Sequence, residues 1–191
     1  MSRSAAVTLL LCAGTGAALA GCGDTGPRQD ADETAGSYDV RVVSSSFPRR
    51  QVLAQPATLK VTVRNADTRA VPNLAITVDS FDRRSDQADL ADASRPVWIL
   101  DSEPAGSGTA YVGTWAFGRL APGQTRTVTW KVTAVSPGQH TVRYRIAAGL
   151  DGKAVARPGE GGRARGSFAV AISDKPAQAR VGSDGEVIRE P

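Results

Sequence analysis

Few residues in this chain are equipped for chemistry, since its 191 residues hold two cysteines and one histidine. Cys22 sits in the stretch LAGCGDTG, Leu19 to Gly26. A lone cysteine can be a nucleophile, a metal ligand, half of a disulfide or an attachment point. A nucleophilic thiolate needs a base, and the only histidine, His140, directly follows a Pro-Gly turn signal far along the chain. The one possible disulfide partner, Cys12, lies in an apolar run at the start. Attachment is what remains. Arg3 followed by the uncharged run Ala5 to Leu19 agrees with it. That run is short of the about 20 apolar residues a membrane span takes, and it reads as a secretory signal.

The junction Leu19-Ala20-Gly21-Cys22 resembles the bacterial lipobox. The resemblance implies that residues 1–21 leave as a lipoprotein signal peptide and that the Cys22 sulfur carries diacylglycerol and acyl (palmitate-type) lipid. The chain is then expected at the cell membrane, lipid-anchored on the extracytoplasmic face. Each buried CH₂ adds about 0.8 kcal/mol, so two or more acyl chains hold firmly. An ordinary signal peptide with an incidental cysteine is the alternative. No cofactor beyond the covalent lipid is expected.

Three further groups of residues invite chemical readings. Asp86, Asp89 and Asp92, with Asp101 and Glu103 beyond, offer hard oxygen ligands for calcium. Their spacing is not that of an EF-hand, and it suits a solvated face equally well. Trp98, Trp115, Trp130 and Tyr111 suggest a carbohydrate platform. Trp115 and Trp130 fall on the apolar phase of their segments and belong in a core; Trp98 stays open between ligand contact and packing. Arg126, Lys131, Arg143 and Arg145, joined by Arg119, Arg163 and Arg165, would form a basic sheet face if their strands pair. Such a face could meet anionic headgroups or wall polymers, or simply face solvent.

No GxSxG, HExxH, P-loop or CxxC motif is present, and Gly106-Ser107-Gly108 lacks a strand-to-helix context. Paired carboxylates could serve glycoside hydrolysis, but nothing sets two of them across a cleft. The expectation is a non-enzymatic protein. Its expected partners are the membrane through the lipid, a surface or secreted protein, and cell-wall polysaccharide, but not nucleic acid.

The positioning elements follow from the periodicity. Residues 22–37 lack bulky apolar side chains and read as a flexible linker. From Tyr38 the apolar period becomes two: Tyr38-Val40-Val42, Leu59-Val61-Val63, Leu74-Ile76-Val78, Tyr111 to Phe117, Val128-Trp130-Val132, Val142-Tyr144-Ile146 and Phe168-Val170-Ile172. Alternation of this kind sets one face in a core and the other in water. Pro122-Gly123 and Pro137-Gly138 carry type II turn chemistry. About seven short strands separated by turns predict an all-β fold, a single antiparallel β-sandwich over 38–173. The segment 95–100, RPVWIL, is expected as a short edge strand or a flap, and 174–191 as a loose tail.

The stretches VTVRNADTRAVPNLAITVDSF and TWAFGRLAPGQTRTVTWKVTAVSPGQHTVRYRI resemble bacterial Ig-like modules of the cell-adhesion-related (CARDB-like) type. The resemblance implies surface display and binding, and supplies no catalytic residues. Two long connections, 82–107 and 149–162, exceed what such modules need; the first is acidic. Arginine outnumbers lysine 19 to 4, which with abundant Ala and Gly suggests a GC-rich, actinobacterial type of genome.

Overall fold

The computed structural model describes residues 30–31, 33–82, 96–160, 162–176 and 178–189. Residues 1–21, Cys22, and Asp86, Asp89 and Asp92 lie outside the described residues.

Twelve strands form two six-stranded sheets. They are β1 (Gly36–Ser46), β2 (Arg50–Leu53), β3 (Pro56–Asn65), β4 (Ala75–Val78), β5 (Phe81–Asp82), β6 (Trp98–Ser102), β7 (Gly108–Tyr111), β8 (Thr114–Ala116), β9 (Thr125–Ala134), β10 (Gly138–Ala147), β11 (Ala154–Pro158) and β12 (Arg165–Pro176). The first sheet runs β11-β1-β3-β9-β6-β5 and the second β2-β12-β10-β4-β8-β7. Most neighbours are antiparallel; β1 with β11, β12 with β2 and β5 with β6 are parallel. In the tail, β13 (Ala179–Val181) and β14 (Val187–Arg189) pair as a hairpin where the sequence predicts a loose segment.

The period-two segments became the central strands because alternation lets each sheet bury one face. Leu59 and Val61 of β3 meet Trp130 and Val128 of β9 in register, and all four are fully or nearly fully buried, as is Val63 opposite Arg126. Val142, Tyr144 and Ile146 of β10 and Val170 and Ile172 of β12 supply the facing layer. Burying one such side chain is worth roughly 1.5–3 kcal/mol. The segment expected as a flap is β6, which lies inside the first sheet between β9 and β5. Strands β2, β5, β7 and β11 are too short, or too weakly alternating, to have stood out in the sequence.

The two ends of the sandwich close differently. At one end, Phe47, Phe81 and Trp98 meet with ring centroids 5.8–6.2 Å apart, and Phe47 also touches Phe168. At the other, polar side chains bind backbone. The buried Asn65 donates to the carbonyls of Arg69 (2.8 Å) and Leu120 (2.9 Å) and accepts from the Asp67 amide. Glu33 accepts from the Leu150 amide at 2.7 Å and from Asn73 Nδ2 at 3.0 Å. The expected linker is therefore already docked at Glu33, and β1 starts at Gly36. Gly149 is required there, because a side chain on it would run into the Glu33 carboxylate.

Candidate functional site

Within the described residues the candidates have definite places. Trp98 is completely buried, and its indole Nε1 donates to Gln51 Oε1 at 2.8 Å. A sugar platform needs an open ring face; Trp98 offers none, so the contact role expected for it is corrected to core packing. The partner that made this possible, Gln51, is itself buried. Trp115 and Trp130 are core residues as expected, packed edge to face at 5.7 Å. Asp101 accepts from the Thr133 hydroxyl at 3.0 Å, and Glu103 from the Thr109 hydroxyl at 2.6 Å. Among the described residues no three His, Cys, Asp or Glu side chains gather as metal ligands. His140 contacts the Pro137 carbonyl through Nε2 at 3.0 Å and sets its ring against Trp98.

The expected basic face splits. Strands β9 and β10 lie in different sheets, so Lys131 is on the opposite side of the molecule from Arg143 and Arg145. Arg126 shares the phase of Val128 and Trp130, turns inward at the end of the core, and donates to the Phe117 carbonyl while its guanidinium lies over the Phe117 ring. What survives is a tighter group on β10 and β12. Arg143 pairs with Ser167 and Arg145 with Arg165, directly across the strands. Arg163 stands just before β12, and its carbonyl accepts from the Val42 amide at 3.0 Å.

These arginines border three neighbouring hollows lined mainly by the second sheet, with β1 and β11 of the first sheet closing two of them. The central one, about 420 Å³, is lined by Arg143, Arg145, Arg165, Ser167 and Tyr144, with Asp79 as its one acid. It shares Arg165 and Ser167 with a hollow of about 250 Å³ that also takes in Arg163, Ser44 and Ser45. On the other side it shares Arg145 with a hollow of about 320 Å³ floored by Ala75, Thr77, Thr114 and Ala147. Tyr111, 57% exposed, and Val155 flank this last one. The hydroxyls of Thr77 and Thr114 are 2.9 Å apart across the strands.

Two features shape this trough. Gly166 lies opposite Tyr144, and a side chain on it would collide with the tyrosine ring and hydroxyl. The ring can therefore lie under the strand, stacked on Phe168 at 6.2 Å. The turn at Gly149 and Leu150 forms one wall, and it is this turn that Glu33 holds. Among the described residues Arg143, Arg145, Arg163 and Arg165 make no ion pair. By contrast, Asp67 is held down to about 2, chiefly by the Arg69 amide and then by the Arg69 guanidinium. Asp151 is likewise lowered, first by the Lys153 ammonium and then by its amide.

The trough was visible in sequence only as two Arg-x-Arg pairs, 143/145 and 163/165. The roles of Glu33 and Gln51 had no signal, because each depends on a partner distant along the chain; Asn65 reads locally as a turn residue, and only its bond to Leu120 is distant.

No family model matches this chain, and no curated protein matches it. Among solved structures it is similar to a CARDB domain from Pyrococcus furiosus, solved in complex with di-metal ions, at 17% identity and a TM-score of 0.45, over 71% of this chain and 89% of that one. It is similar to part of native alpha-2-macroglobulin from Escherichia coli, at 16% identity and a TM-score of 0.45, over 78% of this chain and 21% of that one. A third likeness is to a cohesin module from a Clostridium perfringens family 33 glycoside hydrolase, at 9% identity and a TM-score of 0.41, over 72% and 98%.

Proposed function

We propose that this chain is a non-enzymatic, lipid-anchored protein of the bacterial cell envelope that displays one Ig-like sandwich as a binding module. The observation that carries the binding half is the open trough, bordered by arginines that make no ion pair among the described residues. The anchoring half rests on Leu19-Ala20-Gly21-Cys22 and the apolar run before it. Residues 23–32 separate Cys22 from the docked Glu33. The tether would enter at the polar end of the sandwich and leave the trough free. The absence of catalytic motifs, and the engagement of His140 with Pro137 and Trp98, support a binding role over catalysis.

The test is expression of the full chain in a bacterial host fed a clickable palmitate. Label in the membrane fraction, lost together with membrane retention in Cys22→Ser, is the expected result. An unlabelled wild-type chain recovered in the soluble fraction overturns the anchoring. Two other readings, a module for a surface or secreted protein and a passive spacer, separate by cross-linking on intact cells: the first gives a discrete adduct and the second gives none.

A further inference from the structure

We propose that the trough on the second sheet binds an anionic polysaccharide, with Arg143, Arg145, Arg163 and Arg165 holding its acidic groups and Tyr111 stacking on a sugar ring. This deepens the envelope-module reading above and rests on it.

The first argument is the cost of the empty site. Like charges directly opposite each other destabilise a sheet pair, yet Arg145 and Arg165 occupy such a position. Arg143 adds a third guanidinium two residues along the same face, about 7 Å from Arg145 by strand geometry. Among the described residues Asp79 is the one acid lining the central hollow, against three arginines, and it forms no ion pair. Guanidinium groups present a rigid fork of donors that matches carboxylate or phosphate oxygens.

The second argument is shape. The central hollow shares Arg165 and Ser167 with one neighbour and Arg145 with the other, so the three follow one another instead of forming a single pit. A recess of that form suits an extended chain. A headgroup layer is broad and planar, and it would meet the rims without filling the floor.

The third argument is the mixture of chemistries. An acidic peptide would need only the arginines. The hollow beyond Arg145 adds the half-exposed Tyr111 ring, a floor of small side chains and the hydroxyls of Thr77 and Thr114. A ring with an apolar face and polar rim matches that lining. The platform role expected for Trp98 thus passes to Tyr111.

The experiment uses the full chain in detergent micelles and four immobilised probes: polygalacturonate, neutral dextran, polyglutamate and phosphatidylglycerol vesicles. Polygalacturonate is expected to bind, more weakly as salt rises. The double variant Arg145→Gln/Arg165→Gln should bind it at least about tenfold more weakly. Tyr111→Ala should weaken polygalacturonate several-fold and leave polyglutamate unchanged. Lys60→Gln/Lys131→Gln, which removes equal charge from the other sheet, should change little.

The double variant should also melt no lower than wild type, since it removes a repulsion. A lower melting temperature would make the arginines structural and overturn the proposal. Equal binding of dextran would overturn it, as would binding confined to vesicles. Polyglutamate bound as tightly as polygalacturonate, with no effect of Tyr111→Ala, would replace it with an acidic-protein site. Binding of polygalacturonate by a chain without lipid on Cys22 would sink the anchoring alone; lipidated chain that binds none of the probes would sink the trough alone.

Discussion

At one end of the sandwich Phe47, Phe81 and Trp98 meet ring against ring, while at the other Glu33, Asn65, Asn73 and Asp67 hold chain to chain by bonds to backbone and to one another. The aromatic end is non-directional packing around one satisfied polar contact, Trp98 to Gln51. The polar end is built from charges and amides whose worth depends on geometry and on pH. The teaching is about placement. The polar end holds the start of β1 and one wall of the trough, so the elements nearest the candidate site are held by directional bonds.

The largest expected effect breaks the aromatic end. Trp98→Ala should cost about 3–5 kcal/mol, because it empties a completely buried site and strands the Gln51 amide. Trp98→Phe should cost less but still leave Gln51 Oε1 unpaired; adding Gln51→Leu should recover part of the loss. Denaturant unfolding of the three variants checks the order, and a further loss of stability on adding Gln51→Leu would show that the bond from Gln51 Nε2 to the Pro48 carbonyl, which the substitution also removes, outweighs the unpaired Oε1.

Next comes the polar end. Asn65→Ala removes the donor to two carbonyls and the acceptor for the Asp67 amide. Leaving such groups unmet costs about 1–3 kcal/mol. The loss should appear in hydrogen exchange of residues 66–71 before it appears in the aromatic end. Uniform loss of protection across both ends would mean that they open as one unit and that the distinction has no energetic meaning.

Glu33→Ala should cost about 1 kcal/mol, less than Asn65→Ala because Glu33 is only half buried. Its larger consequence is local, since the Leu150 amide loses its acceptor and the wall of the trough loosens. Exchange at Leu150 and Asp151 should rise while β3 and β9 stay protected.

The sequence showed the long alternating strands because a half-buried strand writes its burial into a period of two. Leu59-Val61-Val63 and Val128-Trp130-Val132 were legible as strands for that reason; that they pair with each other was not. Trp98 was not, because its surroundings in sequence are mixed and its partner Gln51 is 47 residues away. The sheet assignment of β9 and β10 was equally hidden: a short Pro-Gly turn joins hairpins and sheet-to-sheet crossings alike. Hence the basic face predicted across both strands resolves into two faces, and only the Arg-x-Arg pairs on β10 and β12 stay together. Arg126 was misplaced by one step of phase; its position two residues before Val128 already set it with the core.

The smallest effect is the one that separates the ends most cleanly. Asp67 titrates at about 2 in the folded chain against an ordinary 3.8, because the amides of Arg69 and Asp39 and the Arg69 guanidinium favour its charged form. Below pH 3.8 the unfolded chain takes up this proton before the folded one does. The contribution is therefore complete above that value and is lost as pH falls towards 2. Asp151 is lowered in the same sense. Wild type and Asp67→Asn should thus differ by a constant amount above about pH 5 and converge on acidification, whereas wild type and Trp98→Phe should keep their difference throughout. Melting temperatures measured from pH 2 to 7 decide the point. If the Trp98 variant converged on wild type as Asp67→Asn does, the aromatic end would share the electrostatics of the polar one, and the directional bonds of the polar end would no longer mark it out.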